Sequence, residues 1–354
     1  MMPATTVSPA VSVLNYVKQS FGRYFAVVCF LFGGVGAILN VIILTRRSLR
    51  SNPCSICFLA STFADLFIVF ISIPVRFLTA GYNIDPTLLS VATCRIQYYT
   101  FWLSRALSSW YIALASIDRY LSSSISARIR RWSSKQIAYL TIAVVTTTIS
   151  LSYIHVLIYF TINVTRDKYG NVTSFSCNGE NGFYRTFAAF FHLTCYTIIP
   201  PLLMLVFGLL TLNNIRQQSH LVLPSTQTRA TTKFANKQNR KTDRQLFLML
   251  FLQVICIFLS TTPLSAQQLY STLTASFVKD AFKMAQDSLF LAVVGNIAFI
   301  AHCSPFYLFT LAGAIFRREL KNLFFKFVYR CFKKEYHGSG STTLQKPITR
   351  TTQF

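Results

Sequence analysis

The sequence predicts an all-α membrane protein: a bundle of seven transmembrane helices with a short interfacial helix after the seventh span. Composition is the first reason. Of 354 residues, 53% are hydrophobic and 12% are charged, where a soluble domain carries about 25% charge. Distribution is the second. The apolar residues gather into seven runs, each long enough for the roughly 20-residue helix that crosses a hydrocarbon core.

The runs fall at 24–45, 54–76, 95–119, 136–160, 186–212, 245–270 and 288–311. Five of them contain no Asp, Glu, Lys or Arg. The second carries Asp65, with Arg76 at its edge, and the third carries Arg105 and ends in Asp118-Arg119. Pro74, Pro200, Pro201, Pro263 and Pro305 lie inside or near the ends of the runs. Neighbouring helices and hydroxyl side chains can satisfy the carbonyls that a proline frees inside a membrane bundle. These positions are therefore expected to be bends.

A net charge of +24 could indicate nucleic-acid binding. Here the basic residues lie in short segments between uncharged runs, not as a patch on a soluble fold. They read as topology signals and lipid contacts, so the expected large partner is the bilayer and no nucleic acid. The segments after spans one, three, five and seven hold 23 Lys and Arg, and the opposite side holds nine. That excess predicts a cell-membrane protein with its C-terminus in the cytoplasm and its N-terminus outside. Sequons at Asn163 and Asn171 both fall in the predicted external loop 161–185, where glycans are added. Residues 1–20 lack the pattern of a cleaved signal, so the first span is expected to serve as the insertion signal.

The expected organisation is an extracellular N-terminus at 1–23, the bundle at 24–312, an interfacial helix at 313–332 and a disordered tail at 333–354. In the interfacial segment Phe316, Leu320, Leu323, Phe324, Phe327 and Cys331 recur at helical spacing, with Arg317, Arg318, Lys321 and Arg330 between them. That is the pattern of an amphipathic helix lying in the headgroup plane. Cys331 reads either as an acylation site or as a plain thiol. Cys54 and Cys57 form a CxxC with no second ligand pair to complete a zinc site.

Asp118-Arg119-Tyr120 ends the third span. An arginine at the membrane boundary is costly unless paired. Asp118 can pair locally, and Asp243 at the start of span six is a second candidate. Pairing across helices three and six would hold their inner ends together.

At this point the chain resembles rhodopsin-like G-protein-coupled receptors. Asn40 lies in Gly-Ala-Ile-Leu-Asn of the first span, and Asp65 in Leu-Ala-Ser-Thr-Phe-Ala-Asp of the second. Cys94 opens the third span 25 residues before Arg119. Pro200 or Pro201 marks the fifth, Pro263 the sixth, Pro305 the seventh, and Phe316-Arg317 the interfacial helix. The resemblance covers about residues 24–332. It implies a receptor that binds an extracellular ligand and activates a heterotrimeric G protein through Asp118, Arg119 and Tyr120, with no enzymatic activity.

The resemblance also implies a disulfide between Cys94 and Cys177, and a sodium ion held by Asp65 and Ser108 with Asn40 in support. No other cofactor is expected. For Asp65 the alternative is a protonated, structurally bonded acid. Arg105 lies 14 residues before Arg119, about 21 Å along the helix. The resemblance puts the ligand cavity at that depth, beside Phe101 and Trp102. A buried guanidinium there anchors an anionic ligand or pairs internally, with Glu180 or Asp287 as partners.

Amine receptors carry an aspartate where Phe101 stands, and opsins carry a lysine in the seventh helix, where 288–311 has none. The expected ligand is instead a neuropeptide, by similarity to invertebrate receptors for FMRFamide-like peptides. A small-molecule chemosensory receptor and a seven-helix transporter or channel are the competing readings. The chain departs from the family at Ser260-Thr-Thr-Pro263, which lacks a tryptophan, and at Ser304-Pro-Phe-Tyr-Leu-Phe309, where the expected tyrosine position is Leu308 or Phe309. His155, His192 and His302 lie on separate spans and read as satisfied polar groups.

Overall fold

The computed structural model describes residues 8–47, 49–166, 172–220, 230–274, 277, 280–314, 316–325 and 329. Of residues 165, 166, 172–174, 218–220, 230–244 and 246 it describes the backbone only. Seven long helices follow in order: α1, Pro9–Leu44; α2, Pro53–Tyr82; α3, Val91–Ser123; α4, Lys135–Tyr159; α5, Phe183–Gln217; α6, Ala230–Leu273; and α7, Ala281–Cys303, continued after Ser304 by Pro305–Ala312. An eighth helical segment, α8, covers 316–325.

Six of the seven are long and apolar enough to cross a membrane; α3 is the exception. Its Arg95, Arg105, Asp118 and Arg119 lower its hydropathy. The physical reason α3 tolerates them is its position. It packs against α2, α4 and α5, so Arg105, Asp118 and Arg119 are all buried. By contrast Leu31, Phe32, Val35, Val144 and Leu259 are more than half exposed. An apolar outer face and a polar interior match a bundle solvated by lipid.

Local sequence explains the helix boundaries. Ser90 and Thr93 form a reciprocal capping box that starts α3. Asn52 caps α2, with Pro53 at its first position. A π-turn at Ile68–Ser72 precedes Pro74, and another at Leu193–Ile198 precedes Pro200 and Pro201. A wider turn there relieves the clash between a proline ring and the preceding turn. Pro263 sits inside α6.

Small residues bring α1 against its neighbours. A Cβ on Gly33 would lie 2.7 Å from Cys303 Sγ of α7 and 3.1 Å from Val69 of α2. Only glycine allows that approach.

The segment expected as an open loop, 161–185, holds an antiparallel hairpin, β1 (Phe160–Arg166) with β2 (Val172–Gly179). Ile162 stands opposite Cys177 in its register. Cys94 and Cys177 form the expected disulfide, with Cα atoms 5.7 Å apart, and tie β2 to the first turn of α3. At the other end, Phe316 of α8 is 2% exposed and packs on Phe306 and Phe309. Arg317 donates to the carbonyls of Thr310 and Leu311, the last of α7. Cys331 lies outside the described residues.

Candidate functional site

A cavity of about 400 Å³ opens beneath the hairpin, between α2, α3, α5, α6 and α7. Ligand sites between bundle helices have this scale. Arg105, Phe101 and Trp102, the predicted ligand-contact residues, all line it, as do Arg76, Phe160, Arg185 and Phe299. Trp102 is fixed by a stack on His192 at 4.6 Å and an edge contact with Phe160 at 5.2 Å.

Arg105 is 2% exposed, yet its Nε and Nη2 have no hydrogen-bond partner among the described residues. Its guanidinium sits over three rings instead: Phe101 at 4.9 Å, Tyr196 at 5.4 Å and Phe299 at 5.5 Å. Each such contact contributes about 0.5–2 kcal/mol, while each buried unpaired donor costs about 1–3 kcal/mol. The internal partners considered from sequence do not reach it. Glu180 is exposed, Asp287 is 3.6 Å from Lys283, and neither lines the cavity.

Below Arg105 a polar chain crosses the bundle. The Tyr196 hydroxyl of α5 lies 3.3 Å from His302 Nε2. His302 Nδ1 lies 2.8 Å from Asp65 Oδ1, which also accepts from the Ser108 hydroxyl at 2.7 Å. Ser108 meets Ser61 of α2 at 3.2 Å. With Asp65 ionised, His302 Nδ1 carries the hydrogen, and a neutral ring then accepts from Tyr196 at Nε2.

Asp65 and Ser108 thus meet as expected, but the sequence reading missed His302 as their third member. Its partner is 237 residues away, and a lone histidine in an apolar run carries no spacing signal. Asn40 is corrected in detail: its amide donates to Thr62 at 2.8 Å, one turn before Asp65, and not to Asp65 itself. The Thr62 hydroxyl in turn donates back to Phe58 O at 2.8 Å, which leaves its lone pairs for Asn40.

At the far end of α3, Arg119 Nη2 lies 3.1 Å from Asp118 Oδ2, and Ser133 donates to Asp118 Oδ1 at 2.6 Å. The same Nη2 also donates to Asn52 Oδ1, the oxygen that caps α2. Asn52 was not anticipated, because nothing in a capping residue's sequence context announces a tertiary acceptor. Tyr120 rests on Phe207 of α5 at 5.5 Å. Asp243 lies in α6, but its side chain is outside the described residues.

The altered motifs of α6 and α7 find other contacts. Ser304 lies 3.2 Å from Cys256 Sγ, and the Tyr307 hydroxyl donates to Phe32 O of α1 at 2.9 Å. Phe309 fills the interior against Phe58 at 4.7 Å. In the hairpin, Asn163 Nδ2 donates to the carbonyls of Asn178 and Gly179. Asn171 lies outside the described residues.

Seven packed helices, a cavity at the hairpin end and a buried Asp118–Arg119 pair at the other define a multi-pass membrane receptor. The sequence matches the family described as 7 transmembrane receptor (rhodopsin family) over residues 36–327. The match covers most of the chain, which therefore belongs to that family of receptors and is not an enzyme. No individual curated relative matches it.

Proposed function

We propose that this receptor binds an extracellular neuropeptide in the cavity beneath the hairpin and activates a heterotrimeric G protein at the Arg119 end. The observation that carries the reading is the run of contacts from Arg105 through Tyr196 and His302 to Asp65. A ligand that moves Arg105 disturbs a chain that joins α2, α3, α5 and α7. The Asp118–Arg119–Asn52 cluster then holds the resting state, and its release frees α3 for the partner. Asp243 is a further candidate restraint on Arg119.

The receptor sits in the plasma membrane with its N-terminus outside. The 23-to-nine split of basic residues supports this orientation. Glycans on Asn163 or Asn171 test it, and a hairpin reached only from the cytoplasm would reverse it. Acylation of Cys331 would anchor the interfacial segment. Sodium at Asp65 and Ser108 would compete with His302 Nδ1 for Oδ1, so the ion and the histidine are rivals at one carboxylate.

The test is a panel of short peptides, each as the free acid and as the C-terminal amide, applied to cells expressing the receptor with a promiscuous G protein. The expected outcome is a saturable response that Arg119→Ala abolishes while surface expression persists. Ligand-independent ion current through the wild-type protein, without G-protein activation, would favour the channel reading.

A further inference from the structure

We infer that the ligand presents a free carboxylate, seated on Arg105 and flanked by Arg76, with an apolar group beside it. This rests on the receptor reading above and names the chemistry of its ligand. Among the described residues, the cavity is lined by three arginines, Arg76, Arg105 and Arg185, and one carboxylate, Asp85. Asp85 already accepts from the backbone and hydroxyl of Thr87, at 3.0 and 2.7 Å. The lining therefore keeps excess positive charge in a partly enclosed space, where electrostatic attraction is strong.

Arg105 lines the cavity with donors to spare. Its Nε and Nη2 have no hydrogen-bond partner among the described residues, and this side-on pair has the fork geometry that suits the two oxygens of a carboxylate once the side chain turns toward it. The guanidinium carbon lies over the rings of Phe101, Tyr196 and Phe299. Arg76 reaches across the cavity toward α7: a Cβ on Gly295 would lie 3.2 Å from its Nη2. Glycine at 295 leaves room for that arm. An amide has one oxygen and no charge, so it leaves part of the fork unpaired. The rings around Arg105 favour an aromatic or aliphatic neighbour to the carboxylate. A peptide's C-terminus and a small carboxylic acid share this chemistry.

The experiment uses the purified full-length receptor in detergent and follows its thermal midpoint. The probes are acetyl-Phe-Phe and 3-phenylpropionic acid, each as free acid and as primary amide. At about ten times the dissociation constant, an acid should raise the midpoint by roughly 3 °C, and its amide should not. A shift with the dipeptide acid alone assigns the site to a peptide terminus, and a shift with both acids assigns it to carboxylates in general. Arg105→Gln should remove the difference between acid and amide. Arg105→Lys should retain it with weaker binding. Arg76→Gln, on the cavity wall, should weaken acid binding about tenfold and serves if the Arg105 variants fail to fold. Equal shifts by acid and amide, or no shift with either acid, would overturn the inference. Amidated peptides that signal through a G protein while neither acid binds would leave the receptor proposal standing and remove this one. Acids that bind through Arg105 in a receptor that activates no G protein would do the reverse.

Discussion

Nδ1 of His302 on α7 lies 2.8 Å from Oδ1 of Asp65 on α2, and both residues are buried. The contact closes the polar interior at mid-bundle and occupies the oxygen that Ser108 also uses. Replacing His302 with alanine leaves Asp65 one donor short. Loss of a buried partner costs about 1–3 kcal/mol, so the thermal midpoint should fall in choline chloride. Sodium chloride should restore part of it in the variant but not in the wild type, because the ion can then reach the carboxylate. A wild-type receptor stabilised by sodium as strongly as His302→Ala would show that the histidine does not compete.

Asn52 serves two partners through one oxygen, the backbone of Cys54 and the Arg119 guanidinium. Asn52→Ala loses a helix cap, about 1 kcal/mol, and also an acceptor for Arg119. Basal nucleotide exchange on a co-expressed G protein should rise several-fold. Asn52→Asp keeps the cap and adds a charge opposite Arg119, so basal exchange should fall below wild type. Equal basal exchange in the two variants would remove Asn52 from the resting-state cluster.

The Cys94–Cys177 bond closes a loop of sequence separation 83. Chain entropy gives an upper estimate on the order of 4 kcal/mol for such a loop, reduced here because α4 is already held by the membrane. The double substitution to alanine should lower the thermal midpoint and expose the hairpin to protease before the helices. Simultaneous cleavage of both would mean that Trp102 and Phe160 hold the hairpin without the bond.

Two glycines should respond in opposite directions. Gly33→Ala forces a methyl to 2.7 Å from Cys303 Sγ, and overpacking of this kind costs about 1–3 kcal/mol. Around Gly208 the nearest atom to an added Cβ is Phe247 Cε2 at 3.6 Å. Gly208→Ala should be neutral or stabilising by up to about 1 kcal/mol, since alanine is the better helix former. Thermal midpoints of the two variants, measured in the same detergent, check the contrast.

The helices themselves were legible in the sequence, because partition into lipid is a local property that a run of 20 side chains decides. Asp118-Arg119-Tyr120, Cys94 with Cys177, and Phe101, Trp102 and Arg105 were legible too, since each sits at a spacing that helix geometry or a family pattern interprets. The hairpin was not read, though alternation in Thr161-Ile-Asn-Val-Thr165 offered a weak signal. Asn52 was not read at all.

By itself, then, the sequence determined seven helices, six of them apolar enough to cross a membrane, the charge asymmetry across them and the buried depth of Arg105 and Asp65. Tertiary structure decided their partners. Asp65 meets His302 across 237 residues, Asn40 turns to Thr62, and Arg105 receives aromatic faces where a carboxylate was one of the expectations. The reason is physical. Burial in lipid adds up along one segment, but a hydrogen bond needs two groups in register, and the register between helices is set only when the whole bundle packs.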